Sequence, residues 1–247
     1  MKENRSINAY NSQSRVNIYD DNMNKMHPNR VKMIEIALEF LPYDKQYPLN
    51  AIDLGIGTGY FSLEFLKKFP KTHIIGVDGA KAMVEIAELR LKDYSEKFKI
   101  KIYDFRNLHE IFHSLDSIDV IFSSYALHHL NPKEKEDLYN FIKKILKPNG
   151  WFIYADVIIA NNPDVENRFQ EIRIDGVLKR TQGKDERFST FDSTRKFLDD
   201  LEEKENDQPL SLSEDIELLK EADFMNIEIL WKEYREMVIC AQKRQEK

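Results

Sequence analysis

Three alternating glycines, Gly55, Gly57 and Gly59, stand between an apolar run and a helix-spaced run, and no other feature constrains the chain as much. Before them, Ala51, Ile52 and Leu54 read as a short buried strand that carries one acid, Asp53. After Tyr60, Phe61, Phe65 and Phe69 recur at helical spacing. Strand, glycine loop and helix in that order present a ligand at the carboxyl end of a strand in an open α/β sheet. Glycine serves there because it takes positive φ and lets the backbone approach a ligand that a Cβ would push away. A dinucleotide loop needs a small residue at the third glycine position of G-x-G-x-x-G, and here that position is Tyr60. No G-x-x-x-x-G-K-[ST] phosphate loop occurs. The acid two residues ahead of the first glycine suits a ligand bearing a cation better than a pyrophosphate.

The 247 residues suffice for one large domain, or for a domain with an insertion. With 42% hydrophobic and 32% charged residues, the chain can fill a core and remain soluble. A net charge of −6 argues against broad nucleic-acid binding. Cys240 is the lone cysteine, which excludes an internal disulfide and a cysteine metal cluster. The polar amino terminus and the lack of a long apolar run predict a cytoplasmic protein with no membrane partner.

Residues 1–26 read as a loosely ordered tail whose Tyr10, Tyr19, Met23 and Met26 dock on something. Pro28 opens a helix with Val31, Ile34, Leu38 and Leu41 on its apolar face, and Pro42 stops it. His73 to Asp78 reads as a second strand ending in an acid, 19 residues after Gly59. A helix follows, with a stripe from Ala80 through Val84, Ala87, Leu91 and Tyr94 to Phe98. A third strand ends at Asp104 and Phe105, and a fourth, with Ile118, Val120, Ile121 and Phe122, ends at Ser123 and Ser124. Tyr125, His128 and His129 come next. Adjacent histidines share neither a helix face nor a strand face, so no metal site is expected there. Asn131, Pro132 and Glu134 form a helix start with a capping box, and Trp151 to Val157 is a fifth strand.

Strands and helices alternating in units of about 25 to 30 residues make a parallel sheet with right-handed crossovers. Residues 158–210 interrupt the pattern with two helices, over 163–182 and 190–206. The first is locally basic, and Arg180 is the candidate there for gripping a carboxylate or phosphate. A helix and two closely linked strands, Ile227–Trp231 and Met237–Ala241, close the chain as an antiparallel hairpin.

The series DLGIGTG, GVDGA, strand-ending Asp104, DVIFSSYALHHL and LKPNGWFIYADV resembles, in order, the motifs of the class I methyltransferases that use S-adenosylmethionine. The resemblance spans about residues 49–157 and resumes near 211. It implies a doubly wound, seven-stranded, mostly parallel α/β sheet with an antiparallel last strand and a helical cap. It divides the chain into an amino-terminal lid (1–27), a cofactor-binding core (28–157), a cap (158–210) and a closing helix and hairpin (211–247). It implies Asp53, Gly55, Gly57 and Gly59 around the methionine half of S-adenosylmethionine. Asp78 and Gly79 fall at the ribose, Met83, Asp104 and Phe105 at the adenine side, and Ser123 and Ser124 near the sulfonium. Tyr19 closes the cofactor site from the amino-terminal segment.

Methyl transfer from a sulfonium is an in-line displacement with a good leaving group. Alignment alone can supply about 7–11 kcal/mol of the barrier. The expected activity is therefore methyl transfer to a small-molecule acceptor, with His128 and Tyr125 as candidate catalytic groups and His129 and Arg180 on the acceptor. Two alternatives share the cofactor: a tRNA-modification enzyme of the carboxy-S-adenosylmethionine synthase type, and a catalytically silent cofactor-binding subunit. A dehydrogenase ranks last because of Tyr60. Nucleic acid is a disfavoured partner, and a homodimer is compatible with the sequence.

Overall fold

The computed structural model describes residues 5–113 and 117–245. Seven strands form one sheet: β1 (Asn50–Leu54), β2 (His73–Asp78), β3 (Phe98–Ile102), β4 (Ile118–Ser124), β5 (Leu146–Val157), β6 (Phe224–Glu233) and β7 (Glu236–Lys243). Their order is β3-β2-β1-β4-β5-β7-β6, with β7 antiparallel to both of its neighbours. The order reverses between β1 and β4, so the loops after these strands diverge and leave a crevice at their carboxyl ends.

Ten helices accompany the sheet among the described residues: α1 (Arg5–Ala9), α2 (Gln13–Val16), α3 (Tyr19–Met26), α4 (Arg30–Phe40), α5 (Tyr60–Lys68), α6 (Lys81–Arg90), α7 (Pro132–Ile145), α8 (Pro163–Thr181), α9 (Phe191–Glu205) and α10 (Leu212–Glu221). Alternation along the central strands sends residues to two separate cores. Val120 and Phe122 of β4 pack with Met33, Ile34, Phe61 and Phe65, whereas Ile121 packs with Leu138, Ile142 and Leu219, and Ile118 joins this second core because the register shifts between it and Val120. Both faces are therefore covered, as a parallel sheet requires.

Local chemistry accounts for the boundaries. Asn131 accepts from the Glu134 N–H at 2.9 Å and the Glu134 carboxylate accepts from the Asn131 N–H at 2.9 Å, which starts α7 with the expected capping box. Ser211 and Glu214 start α10 the same way. The turn after β6 is tight enough that β6 and β7 pair as the expected hairpin.

Several elements depart from the sequence reading. Residues 5–26 are three short helices, α1 to α3, rather than a loose tail. The apolar face of α4 is Met33, Ile34, Ala37 and Leu38, and Val31 is exposed at 44%. Helix α6 stops at Arg90 because i→i+3 bonds, Tyr94 N–H to the Leu91 carbonyl among them, tighten the chain into a 3-10 turn, and Phe98 already belongs to β3.

Candidate active site

The glycine loop is held open by its own conformation. Gly55, Gly57 and Gly59 have φ of +69°, +53° and +76°, values an L side chain rarely adopts. A Cβ on Gly55 would stand 2.4 Å from Cβ of Ala126, so the residue is also required by close packing. Asp78, at the end of β2, fastens the loop from the side. One carboxylate oxygen accepts from the Gly57 N–H at 2.8 Å, and the other accepts from the Ala80 N–H at 2.8 Å. Burial pushes the Asp78 carboxyl above its usual pKa, against those two donors.

A cleft opens over this loop, lined by Gly55, Gly57, Asp78, Met83, Phe105 and Ser124 among others. Tyr19, Gly79, Asp104, Tyr125 and His129 also border it. The sequence reading missed Arg30, Thr58 and the residues of α1 at its rim. Asp20 of α3 explains how they assemble. Its carboxylate pairs with Arg30 at 2.7 Å and with Arg90, and it accepts from the Thr58 hydroxyl at 3.1 Å. The Arg30 guanidinium in turn stacks 4.7 Å from the Tyr60 ring centre. Tyr60 thus serves the loop by carrying Arg30. In sequence these residues were an acid in a polar tail and a basic residue after Pro28, with no local signal linking them.

Five of the sequence candidates lie off the cleft. Asp53 is buried under the loop, where it accepts from the Ser62 hydroxyl at 2.6 Å, and burial raises its pKa to about 7. A carboxyl so placed, hydrogen-bonded to Ser62, has its charge partly suppressed by burial. Gly59 opens α5 behind the loop, packed against Ala87. Ser123 is fully buried and donates to the Leu54 carbonyl at 2.7 Å. Arg180 donates to the Lys25 carbonyl at 2.7 Å and lines a separate pocket behind α3. His128 faces a larger cavity instead.

That cavity, of about 570 Å³, lies between α2, α3, α9 and the start of β7. Tyr10, Tyr19 and Tyr125 border both it and the cleft. The Tyr125 backbone, with φ of +50°, turns its ring inward so that the hydroxyl donates to Glu236 at 2.7 Å. Glu236 also meets Nδ1 of His27 at 3.0 Å and accepts from Asn29 at 2.9 Å. Burial alone would raise its pKa, and those partners outweigh burial and hold it below the usual range. His128 and His129 occupy a single 3-10 turn, Leu127–His129, which puts their ring centres 4.1 Å apart. The expectation that neighbours in sequence point apart fails here, because a 3-10 turn follows neither strand nor α-helix periodicity. His128 Nδ1 lies 2.6 Å from Asp156. Burial pulls the His128 pKa down, and the Asp156 and Asp207 carboxylates outweigh it and raise it. His129 is lowered, by burial first and then by the charge of His128.

Helices α8 and α9 are stapled over the cavity by charge. Glu202 of α9 pairs with Arg173 of α8 and, at 2.9 Å, with Arg235 beside β7. Burial would raise the Glu202 pKa, but the two guanidinium groups hold it at about 2. Its folded value lies below the unfolded one, so this stabilisation is complete above the unfolded pKa and is lost as the pH falls through the folded one. Thermal unfolding of the wild type should therefore lose midpoint more steeply than Glu202→Gln between about pH 5 and pH 2. Parallel slopes in circular-dichroism melts would remove Glu202 as the staple.

Residues 51–150 match a family model described as a methyltransferase domain. Over most of its length the chain is similar to curated proteins named carboxy-S-adenosyl-L-methionine synthase. The protein of Nautilia profundicola is 27% identical over 216 residues, covering 87% of this chain and 86% of that one. The protein of Campylobacter hominis is 26% identical over 228 residues, covering 92% and 91%. Among solved structures, a Haemonchus contortus phosphoethanolamine N-methyltransferase 2, in complex with phosphomonomethylethanolamine and S-adenosylhomocysteine, superposes with a TM-score of 0.67 at 13% identity, over 95% of this chain and 58% of that one. Human N-acetylserotonin methyltransferase superposes at 0.63 and 16% identity, over 99% of this chain and 60% of its own. At such identities these two carry the fold alone, and this chain spans about three fifths of theirs. The glycine loop fastened by Asp78, the strand order closing on an antiparallel β7 and the matched residues 51–150 agree: residues 51–150 match a methyltransferase domain, and the chain has the fold of the S-adenosylmethionine-dependent methyltransferases among those solved structures.

Proposed function

We propose that the protein binds S-adenosylmethionine in the cleft over the glycine loop and transfers its methyl group to a small-molecule acceptor in the adjoining cavity. The observation that carries this reading is the junction itself. Tyr10, Tyr19 and Tyr125 border cleft and cavity together, so a sulfonium at the loop and an acceptor beyond it meet across one wall. In-line displacement needs that alignment more than a particular side chain. The residues present suit the cofactor. Asp78 keeps lone pairs free on both oxygens after its two backbone bonds, enough for two ribose hydroxyls. Phe105 offers a flat apolar wall, and Gly55 and Gly57 leave room for the methionine half. S-adenosylmethionine supplies the electrophilic methyl group. The chain binds it, excludes water through α1 to α3, and orients the acceptor with Tyr125 and His128. The cavity, of about 570 Å³, is bordered by α3 and α9 with Arg173 of α8, a size that favours a small acceptor over a nucleic acid. Arg180 has no part in this reading.

A second reading, synthesis of carboxy-S-adenosylmethionine, is favoured by relatives of that name that align over nearly the whole chain. Mass spectrometry of the protein incubated with S-adenosylmethionine and a fractionated metabolite extract distinguishes the two. Methyl transfer predicts S-adenosylhomocysteine together with a methylated extract component. The second reading predicts a carboxylated cofactor and no methylated component. S-adenosylmethionine that is bound and recovered intact in every fraction would favour a silent cofactor-binding subunit instead.

A further inference from the structure

At the wall between the proposed cofactor and acceptor sites stands a cluster that lends His129 to the lining of the first and His128 and Asp207 to that of the second. His128 and His129 face Asp207, which follows α9, with Oδ1 of Asp207 2.8 Å from Nδ1 of His129 and 3.7 Å from Nε2 of His128. One donor atom from each of the three residues falls within 4.8 Å of the others. The two histidines are buried, and Asp207 nearly so. Yet Nδ1 of His129 and Oδ1 of Asp207 have no hydrogen bond of acceptable geometry, although both are shielded from water. Their one contact is with each other at 2.8 Å and poorly aligned, and buried polar atoms so weakly satisfied are rare, because an unmet one costs about 1–3 kcal/mol of desolvation.

We propose that His128, His129 and Asp207 form a binding site for one divalent transition-metal ion, at the wall between the cleft and the cavity. This goes beyond the proposed methyl transfer and does not depend on it. An ion about 2.0–2.2 Å from imidazole nitrogen and carboxylate oxygen holds neighbouring ligand atoms roughly 3.0–3.5 Å apart. The two spacings to Asp207, 2.8 and 3.7 Å, bracket that value, and all three donor atoms lie within 4.8 Å of one another. The donor set is two imidazoles and one carboxylate, which suits zinc and its first-row neighbours rather than magnesium or calcium.

The surroundings are built for such a ligand set. Asp156 accepts from the Leu127 and His128 N–H groups at 2.8 and 3.2 Å and meets Nδ1 of His128 at 2.6 Å. A carboxylate on Nδ1 fixes the tautomer that leaves Nε2 free as a donor to metal. Two bonds hold the segment after Asp207 in place, Gln208 N–H to the His128 carbonyl at 2.7 Å and the Gln208 side chain to the His129 carbonyl at 3.3 Å. Two carboxylates, Asp156 and Asp207, face two imidazoles here, while Lys135 is paired with Asp215 at 3.0 Å and Arg106, which donates to the His129 carbonyl at 2.9 Å, is paired with Asp104 and Glu134. A dication balances that charge. His128 and Asp207 also border the cavity, so the ion keeps an open position toward an acceptor oxygen, where it acts as a Lewis acid. With the ion bound, Nε2 of His128 is a ligand and not a base.

The test is a titration of the chelator-treated, desalted full chain with Zn²⁺ by calorimetry, and with Co²⁺ by visible absorption. The expected result is one ion per chain and Co²⁺ bands of an imidazole-ligated centre. His129→Ala and Asp207→Asn should abolish saturable binding. Asp156→Asn should weaken it by about 10- to 100-fold. His73→Ala, at an exposed position on β2, should leave it unchanged. No one-to-one binding by the wild type overturns the proposal, as does retention of full affinity in both His129→Ala and Asp207→Asn, or loss of binding in His73→Ala. Should a ligand variant fail to fold by circular dichroism, the wild-type stoichiometry and Co²⁺ spectrum still decide. S-adenosylhomocysteine binding, measured separately, keeps a failure of the metal site distinct from a failure of the cofactor reading.

Discussion

Replacing Asp78 by alanine is expected to lower affinity for S-adenosylhomocysteine by about 100-fold or more, with the fold intact. The carboxylate holds the Gly57 N–H on one oxygen and the Ala80 N–H on the other, both at 2.8 Å. Hydrogen bonds to a charged group contribute about 1.5–3 kcal/mol each, and a change of about 2.8 kcal/mol is already 100-fold in a binding constant. Alanine removes both bonds, leaves the Gly57 N–H unpaired and frees a loop whose three glycines have no side chains to restrain it. Any ribose contact is lost in addition. Asp78→Asn keeps one acceptor oxygen and should fall between the two. Asp53→Asn makes a useful contrast, because Asp53 lies under the loop with its charge already partly suppressed, its pKa being about 7. Its effect on affinity should be several-fold at most. Calorimetric titration of the three variants, with thermal melts as the control for folding, checks the order. Unchanged affinity in Asp78→Ala would overturn the place given to that acid.

The largest loss of stability should come from Lys135→Met. Lys135 on α7 is 1% exposed, and its ammonium lies 3.0 Å from both carboxylate oxygens of Asp215 on α10, which is fully buried. Tyr139 donates to the same carboxylate at 2.9 Å. Removing the cation leaves Asp215 charged and uncompensated in the core, which costs about 3–5 kcal/mol. For a chain of this size that is a fall of roughly 6–20 °C in the melting midpoint. The double variant Lys135→Met with Asp215→Leu removes both charges, and most of the loss should be recovered, since a buried ion pair contributes little beyond an apolar pair of similar volume. A double variant no more stable than Lys135→Met would show that packing at this position, rather than the stranded charge, sets the cost.

The pair also shows where sequence reading stops. In the sequence Leu138, Phe141, Ile142, Ile145 and Leu146 stand at helical spacing as the buried face of α7, and the structure buries all of them but Phe141, which is half-buried. Lys135, on the same helix, is buried as well. Nothing within a turn of it announces an acid 80 residues later. The same limit explains the site. Gly55, Gly57 and Asp78 were legible because a strand, a tight turn and a helix impose their residue types locally, whatever packs above them. Asp20, Arg30, Thr58 and Arg90 were not, because each is an ordinary polar residue until α3 folds back over the loop. Arg180 misled for the converse reason: a basic helix face suggests a charged ligand, and the guanidinium here caps the Lys25 carbonyl.

By itself the sequence determined the sheet, its crossovers, the antiparallel closing hairpin and the glycine loop, since periodicity, glycine conformation and helix caps act over a few residues. Only the tertiary structure decided what faces the loop. It set the clamp of α3 on Thr58 and Arg90 and the cavity under α8 and α9, and it turned His128 and His129 together toward Asp207. Those contacts join residues up to about 80 positions apart in the chain, and at that range the partner is chosen by packing and charge rather than by any pattern in the letters.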